Sequence, residues 1–128
     1  KKLPVSLPEF LDIALSLTEA VGSIHKTGVI HRDLKPEHIF IHPDTLQAYV
    51  VDFKDAVLNL LQNGDKLLST SPVGSLEYMP PEQTGRLNIP IDKRSDLYPL
   101  GVIFYELLTG KLPLQAHDPL DGYMHILL

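Results

Sequence analysis

Apolar side chains recur every three or four residues between positions 6 and 26, which is the period of a helix with one buried face. Ser6 and Glu9 form a capping-box pattern at the start of this stretch, and Gly28 stands just past its end, where a left-handed residue is favoured. The pattern predicts a long amphipathic helix over residues 6–26. Its apolar positions are Leu7, Phe10, Leu11, Ala14, Leu17, Val21 and Ile24.

Two short runs of β-prone residues follow, at Ile39–Ile41 and at residues 48–51. The turn-forming residues between them, His42-Pro43-Asp44-Thr45, predict that the two runs pair as a hairpin. The segment from Val29 up to this hairpin is predicted as a loop, and it carries the densest polar cluster of the chain.

Residues 52–90 show weak periodicity, so they predict a long loop with one short helix near Pro81–Thr84. Residues 95–109 are apolar on nearly all sides and end at Gly110, which predicts a buried helix. Pro99 would cost about 3 kcal/mol inside that helix unless the helix begins late, near Asp96. A third helix is predicted to begin at Asp118 and Pro119.

The composition excludes several classes of function. A formal charge of −5 with no long basic run disfavours nucleic acid as a partner. No apolar run is long enough to cross a bilayer, and the absence of cysteine excludes disulfides and thiol nucleophiles, as expected in a reducing compartment. His38 and His42 lie four apart in a β-prone run that would separate them, so no zinc site is expected. Without a starting Met or a signal-peptide pattern, the chain has the character of an internal segment.

Candidate chemistry concentrates in the loop before the hairpin. Asp33 and Lys35 lie two residues apart there, and Asp52 follows the second β-prone run. The hairpin would bring Asp33 and Asp52 close together. Phosphoryl transfer needs a carboxylate to accept a proton, a cation near the phosphate and oxygen ligands for magnesium, and these residues supply such groups.

Four motifs in order resemble those of eukaryotic-type protein kinases. They stand for the catalytic loop, the magnesium motif, the end of the activation segment and the buried helix after it. The resemblance implies an α+β fold: the mostly helical large lobe with a short β-hairpin. Residues 1–128 would form an incomplete domain that lacks the small lobe and the last helices. The motifs are His31-Arg32-Asp33-Leu34-Lys35-Pro36, Asp52-Phe53, Gly74-Ser75-Leu76-Glu77-Tyr78-Met79-Pro80-Pro81-Glu82 and Ser95-Asp96-Leu97-Tyr98-Pro99-Leu100-Gly101-Val102.

The resemblance implies a catalytic role for Asp33, Lys35 and Ser75. Asp33 would be the base, although a loop Asp can also simply cap its own turn. Lys35, of the serine/threonine type, would steady the transferred phosphate, and Ser75 would bridge Lys35 and Asp33. ATP and Mg²⁺ would be bound by Lys35, Asp52 and His38, with Asp52 the main metal ligand and His38 a weak one.

Regulatory and structural roles also follow from the resemblance. Arg32 would pair with a phosphate on the activation segment. The candidate phosphosites are Ser69, Thr70 and Ser71, each of which can also be a simple loop former. Glu82 would pair with an arginine of a later helix. Asp96 would buttress the catalytic loop, a role compatible with that of a helix-dipole partner.

Two departures from the family pattern affect the expected metal site. His38 stands where the family has an Asn ligand, and imidazole suits magnesium poorly. Lys54 replaces the Gly of Asp-Phe-Gly, which predicts backbone strain if a glycine conformation is needed there. A milder change puts Pro80 in place of Ala.

Three functions fit these observations. The first is a serine/threonine protein kinase that acts on protein substrates in signal transduction, and the second is a catalytically weak or inactive pseudokinase with a regulatory role. The third is a small-molecule phosphotransferase, which the substrate-docking segment of residues 74–82 disfavours. The isolated chain, without Gly-rich loop or strand lysine, is expected to be inactive.

A narrower resemblance concerns the protein around this segment. Residues 81–88, Asp96-Leu97-Tyr98 and Asp118-Pro119-Leu120 are similar to the kinase-like domain of fungal and bacterial hybrid sensor histidine kinases. This implies a cytoplasmic two-component protein in which ATPase-like and histidine-kinase modules follow in the same chain.

Overall fold

The computed structural model describes residues 2–59 and 67–115, together with residues 118 and 122. Over these residues the chain forms two α-helices, four short β-strands and several single 3₁₀ turns. The helices are α1 (Leu7–Lys26) and α2 (Leu97–Thr109), and the strands are β1 (Val29–Ile30), β2 (Ile39–Ile41), β3 (Ala48–Val50) and β4 (Val57–Leu58).

Helix α1 confirms the predicted amphipathic helix. The capping box is formed, because the backbone N–H of Ser6 donates to Glu9 Oε2 over 3.1 Å. Gly28 follows the helix with a left-handed backbone, at φ 80°. The buried face of α1 consists of Ile13, Leu17 and Val21.

Strands β2 and β3 form the predicted antiparallel hairpin, in which Phe40 lies opposite Tyr49. A second antiparallel pair, β1 with β4, places Ile30 opposite Val57 and was not predicted. Two-residue strands carry too little alternation to be detected from sequence. The β1–β4 pair closes the base of the segment of residues 31–56, which contains the hairpin and the polar loop.

Helix α2 begins two residues later than predicted and follows a 3₁₀ turn at Lys93–Asp96. Pro99 is therefore the third residue of α2, among the first four whose nitrogens lack an intrahelical partner, and the interior penalty does not arise. Gly110 ends the helix at φ 72°, as predicted.

The predicted long loop of residues 52–90 is more structured than expected. It contains β4 and a 3₁₀ turn at Leu76–Tyr78, while the short helix predicted at Pro81–Thr84 is confirmed as a 3₁₀ turn. The third predicted helix lies largely outside the described residues. Within it, the N–H of Gly122 donates to the Asp118 carbonyl over 3.0 Å.

The hydrophobic core lies between α1, α2 and the hairpin, so the polar loop is supported on a packed base. Neither helix of the described chain combines the length and the apolar composition needed to cross a membrane. The buried residues of this core are Leu17, Val21, Leu34, Ala48, Tyr78, Leu100, Val102 and Ile103.

Candidate active site

Asp96 anchors the polar loop from behind. Its side chain is completely buried, and its two oxygens accept the backbone N–H groups of His31 (2.9 Å) and Arg32 (3.0 Å). His25, on the last turn of α1, places Nε2 2.8 Å from the same carboxylate. The start of α2 and the end of α1 thus fix the backbone of the loop together.

His31 fixes the loop from the opposite side. Its Nδ1 accepts the N–H of Asp33 at 3.2 Å, so Nε2 carries the proton that is donated to the Val51 carbonyl at 2.9 Å. The His31 ring also meets the edge of the Phe53 ring, with centroids 5.0 Å apart. These contacts tie the Asp33 backbone to the segment that carries Asp52.

Asp33, Lys35 and Ser75 form one cluster. Lys35 Nζ donates to Ser75 Oγ over 2.8 Å and lies 3.8 Å from Asp33 Oδ2. Asp33 is buried, and its second oxygen, Oδ1, has no hydrogen-bond partner in the described part of the chain. The cluster therefore joins a carboxylate with a free acceptor oxygen, a cation and a hydroxyl carried by the distant segment 74–82.

Gly74 allows that distant segment to approach the loop. Its φ is 96°, and a Cβ at this position would lie 3.0 Å from the Arg32 carbonyl oxygen and 3.7 Å from Asp33 Oδ1. Any side chain here would strain the backbone and collide with the loop. Glycine is thus required for Ser75 to reach Lys35.

His38 bridges Asp33 and Asp52. Its Nδ1 lies 2.7 Å from the Asp33 carbonyl oxygen, and its Nε2 lies 3.1 Å from Asp52 Oδ2. Both neighbours are acceptors, so donation to both at once requires a proton on each ring nitrogen. The hairpin does bring Asp33 and Asp52 together, as predicted, but with an imidazole ring between them.

The donor set fits magnesium only in part. The Asp52 carboxylate is 37% exposed and supplies the hard oxygen that Mg²⁺ prefers. His38 contacts acceptor oxygens through both of its ring nitrogens, and its weak ligand role stays a prediction. Among the described residues, no group of three acidic or histidine side chains is arranged to hold a metal ion. Nucleotide phosphates and water would have to complete the coordination around Asp52.

The strain expected at Lys54 falls on Asp52 instead. Lys54 is not among the non-glycine residues with positive φ, whereas Asp52 has φ 61° and Arg32 has φ 70°. Such left-handed backbones cost about 1–2 kcal/mol per residue and persist only where neighbouring contacts enforce them. The two strained residues flank the cluster around Asp33.

Arg32 and the candidate phosphosites are not in contact in this structure. Arg32 Nε donates to the Asp55 carbonyl over 3.0 Å. Ser69 is buried, and its hydroxyl donates to the Ser71 carbonyl over 2.6 Å. Thr70 and Ser71 are exposed, so theirs are the accessible hydroxyls among the three candidate phosphosites.

Glu82 and Tyr78 join the segment of residues 74–82 to the helical core. Glu82 Oε1 accepts the Ser95 hydroxyl at 2.7 Å, so in this structure a serine partners Glu82. The Tyr78 hydroxyl donates to Glu106 Oε2 at 2.6 Å. Burial, together with the hydrogen bond to the Glu106 carboxylate, raises the pKa of Tyr78 far above its usual range.

Three residues with prominent contacts were not singled out from the sequence: His25, Tyr78 and Gln83. His25 had a detectable signal, because it continues the four-residue spacing of Leu17 and Val21 along the buried face of α1. Tyr78 and Gln83 lie in short turns without periodicity, so nothing in the sequence marks their burial.

Comparisons with known proteins agree with this geometry. The family model described as protein kinase domain matches residues 1–127. A probable serine/threonine-protein kinase of Clostridium acetobutylicum is 35% identical over 118 residues, 91% of this chain and 17% of the relative. Serine/threonine-protein kinase pkn2 of Myxococcus xanthus is 39% identical over 115 residues, 85% of this chain and 13% of the relative.

Serine/threonine-protein kinase PknB of Mycobacterium tuberculosis is 33% identical over 125 residues, 96% of this chain and 19% of the relative. The chain thus spans less than a quarter of the length of these curated relatives. The family model nevertheless extends over almost every residue, including the loop around Asp33 and the segment around Ser75. The chain belongs to the protein kinase domain family.

Proposed function

We propose that this chain is the catalytic-loop part of a serine/threonine protein kinase, which transfers the γ-phosphoryl group of ATP to a hydroxyl of a protein substrate. The observation that carries the proposal is Asp33, a buried carboxylate whose Oδ1 has no partner among the described residues. An unpaired buried acceptor costs about 1–3 kcal/mol. A catalytic role for the carboxylate would account for that cost, with the substrate hydroxyl approaching the other oxygen, Oδ2, beside Lys35 Nζ.

The neighbouring residues suit the same reaction. Asp33 would accept the proton as the substrate oxygen bonds to the γ-phosphorus and the bond to ADP breaks. Lys35 would stabilise the negative charge of the transferred group, and its bond to Ser75 keeps the ammonium near Asp33.

Asp52 is the residue that would hold magnesium. When bound, Mg²⁺ would neutralise the negative charge of the ATP phosphates. The exposed carboxylate of Asp52 supports this assignment, while the contacts of His38 support a positioning role for the imidazole rather than a ligand role.

The extent of the protein is part of the proposal. We place these residues in the large lobe, with the ATP-covering small lobe before Lys1 and more helices after residue 128, in a cytoplasmic protein. The signatures at residues 81–88 and 96–98 favour a hybrid sensor parent with ATPase-like and histidine-kinase modules. The flanking coding sequence tests this, and modules of another type there would contradict it.

Matched aspartate substitutions in the full-length protein test the kinase proposal. Asp33→Asn should lower phosphate transfer to a serine/threonine peptide by at least a hundredfold while ATP binding persists, since a base contributes about 10²–10⁴-fold. Asp52→Asn should abolish Mg²⁺-dependent ATP binding in calorimetry. Asp44→Asn, in the exposed hairpin turn, is the control and should change neither quantity. Full transfer by the Asp33→Asn variant would sink the proposal.

A pseudokinase is the second candidate, and the His38–Asp52 contact favours it. The imidazole engages the carboxylate oxygen that a metal would need, 3.1 Å away. His38→Asn replaces the ring with an amide that can offer a hard oxygen. If the wild-type protein binds no ATP with Mg²⁺ or Mn²⁺ and His38→Asn restores binding, the protein is a pseudokinase. Equal, tight Mg²⁺-ATP binding by both proteins would exclude this candidate.

A further inference from the structure

Gln83 makes an unusual set of contacts for a residue in a short turn. Its side chain is 1% exposed, and Nε2 donates to the carbonyl oxygens of Arg32 (2.8 Å) and Val73 (2.9 Å). Carbonyl oxygens only accept, so the amide must present its NH₂ group to them. One side chain thus connects Arg32, 51 residues earlier in the chain than Gln83, with Val73.

The backbone of Gln83 strengthens the same connection. Its carbonyl accepts the N–H of Val73 at 3.1 Å, so Gln83 and Val73 are joined through both main chain and side chain. At the next residue, Gly74, a Cβ introduced by substitution would lie 3.4 Å from Gln83 Nε2. Ser75 then bonds to Lys35. Residues 73–75 are therefore held against the loop at both ends, by Gln83 and by Lys35.

The donor groups of Gln83, rather than its volume, explain its presence. Its Oε1 is buried without a partner among the described residues. An apolar side chain of similar size would fill the same space without an unpaired acceptor. The cost is offset only by what the NH₂ group does, which is to pair two carbonyls that belong to different segments.

We propose that Gln83 is a positioning residue that holds residues 73–75 on the catalytic loop, so that Ser75 stays on Lys35 beside Asp33. The functional part of this inference rests on the proposed kinase activity. The structural part does not, because the contacts of Gln83 can be tested in a protein that transfers no phosphate.

Isosteric substitutions in the full-length protein separate the donors from the volume. Gln83→Met keeps the volume and removes the NH₂ group, and Gln83→Glu puts a carboxylate against two carbonyls. Gln47→Met is the matched control, since Gln47 is exposed and no side-chain hydrogen bond joins it to the described residues. Gly74→Ala disturbs the same segment from an exposed position, through its own backbone and the Arg32 carbonyl as well as through Gln83.

Hydrogen exchange is the measurement that does not depend on activity. We expect Gln83→Met, Gln83→Glu and Gly74→Ala to accelerate amide exchange at least tenfold in residues 67–75, with α1 unchanged, whereas Gln47→Met changes neither. Wild-type exchange in residues 67–75 of folded Gln83 variants would overturn the proposal. If one of the two Gln83 variants unfolds as a whole, the other variant decides in the same way.

Kinetics distinguish positioning from a general structural role. With rates normalised to the folded fraction, Gln83→Met should lower kcat for peptide phosphorylation about tenfold and leave the KM for ATP unchanged. An unchanged normalised kcat, which would mean that any loss of activity comes from a smaller folded fraction, would overturn the functional part. A wild-type protein without transfer would refute the proposed kinase activity instead, while the exchange data would still test Gln83.

Discussion

The two sides of the polar loop around Asp33 are built differently. On the rear side, Asp96 is fully buried and accepts two backbone N–H groups while also bonding to His25. On the front side, Asp33 keeps an oxygen unpaired and Asp52 is exposed. The polar groups of the rear side are paired within the protein, whereas the front side has, among the described residues, one unpaired buried oxygen and one exposed carboxylate. The same residue type therefore has opposite consequences in one small region.

The largest expected effect contrasts Asp96 with Asp52. Asp96→Ala should lower the free energy of unfolding by about 3–5 kcal/mol, because it leaves His25 and two buried N–H groups unpaired. Asp52→Asn, at an exposed carboxylate and with a residue that also tolerates the left-handed backbone, should change it by less than about 1 kcal/mol. Urea denaturation of both variants measures the difference, and similar losses would contradict the contrast between the two sides.

Two glycine substitutions test whether the segment that carries Gly85 is packed as closely as the rear side of the loop. At Gly85, φ is 73° and a Cβ would lie 3.0 Å from the Ser71 backbone, so Gly85→Ala should destabilise by about 1–3 kcal/mol. Gly22 lies inside α1 with open space around its Cβ position, so Gly22→Ala should stabilise by about 0.5–1 kcal/mol. Thermal melts show whether each substitution lowers or raises the melting temperature. Equal shifts in the two variants would indicate that the segment around Gly85 is loosely packed.

Tyr78 tests the junction of that segment with the core at high pH. Burial and Glu106 raise the pKa of Tyr78 in the folded protein. The stability that the protonated hydroxyl contributes is therefore fully present below 10.0, the pKa of Tyr78 in the unfolded chain, and is lost as pH rises above that value. Tyr78→Phe should cost about 1 kcal/mol at neutral pH and reduce the alkaline loss of stability. Unfolding curves from pH 8 to 11 compare the two proteins, and parallel pH profiles would refute the assignment.

The smallest expected effect is on the surface at Asp92. The hydrogen bond with the Arg94 guanidinium lowers the pKa of Asp92 in the folded protein. The stability that the ionised Asp92 contributes is therefore present above 3.8, its pKa in the unfolded chain, and is lost as pH falls through the lower pKa of the folded protein. Because Arg94 is exposed, the effect should be small and should vanish in high salt. Asp92→Asn melts between pH 2 and 5, with and without 1 M NaCl, measure it. A large, salt-independent loss would show that Asp92 belongs to the buried anchor.

Periodic elements could be predicted from the sequence, and contacts between distant segments could not. Helix α1 and the hairpin follow from local spacing and turn residues. The start of α2 was misplaced, because the 3₁₀ turn at Lys93–Asp96 is as polar as a first helical turn. The β1–β4 pair was missed because its partners are two residues long and separated by the whole polar loop.

For the site, the resemblance to protein kinases implied that Asp33, Lys35 and Ser75 act together, and the structure brings them into one cluster. The sequence could not show that both ring nitrogens of His38 would face oxygen atoms, since the orientation of the ring depends on tertiary contacts. Gln83 was invisible for the same reason: its partners, Arg32 and Val73, are chosen by the fold.

The position of Asp96 also has a consequence for synthesis of the chain. His31 precedes its anchor by 65 residues. At translation rates of about 5–20 residues per second, roughly 3–13 seconds separate the two on the ribosome. All residues of α1 and of the hairpin are synthesised before Asp96. Until Asp96 is added, the backbone of the loop lacks the carboxylate that fixes it. The nascent chain therefore contains every residue of the loop well before the loop can acquire its shape.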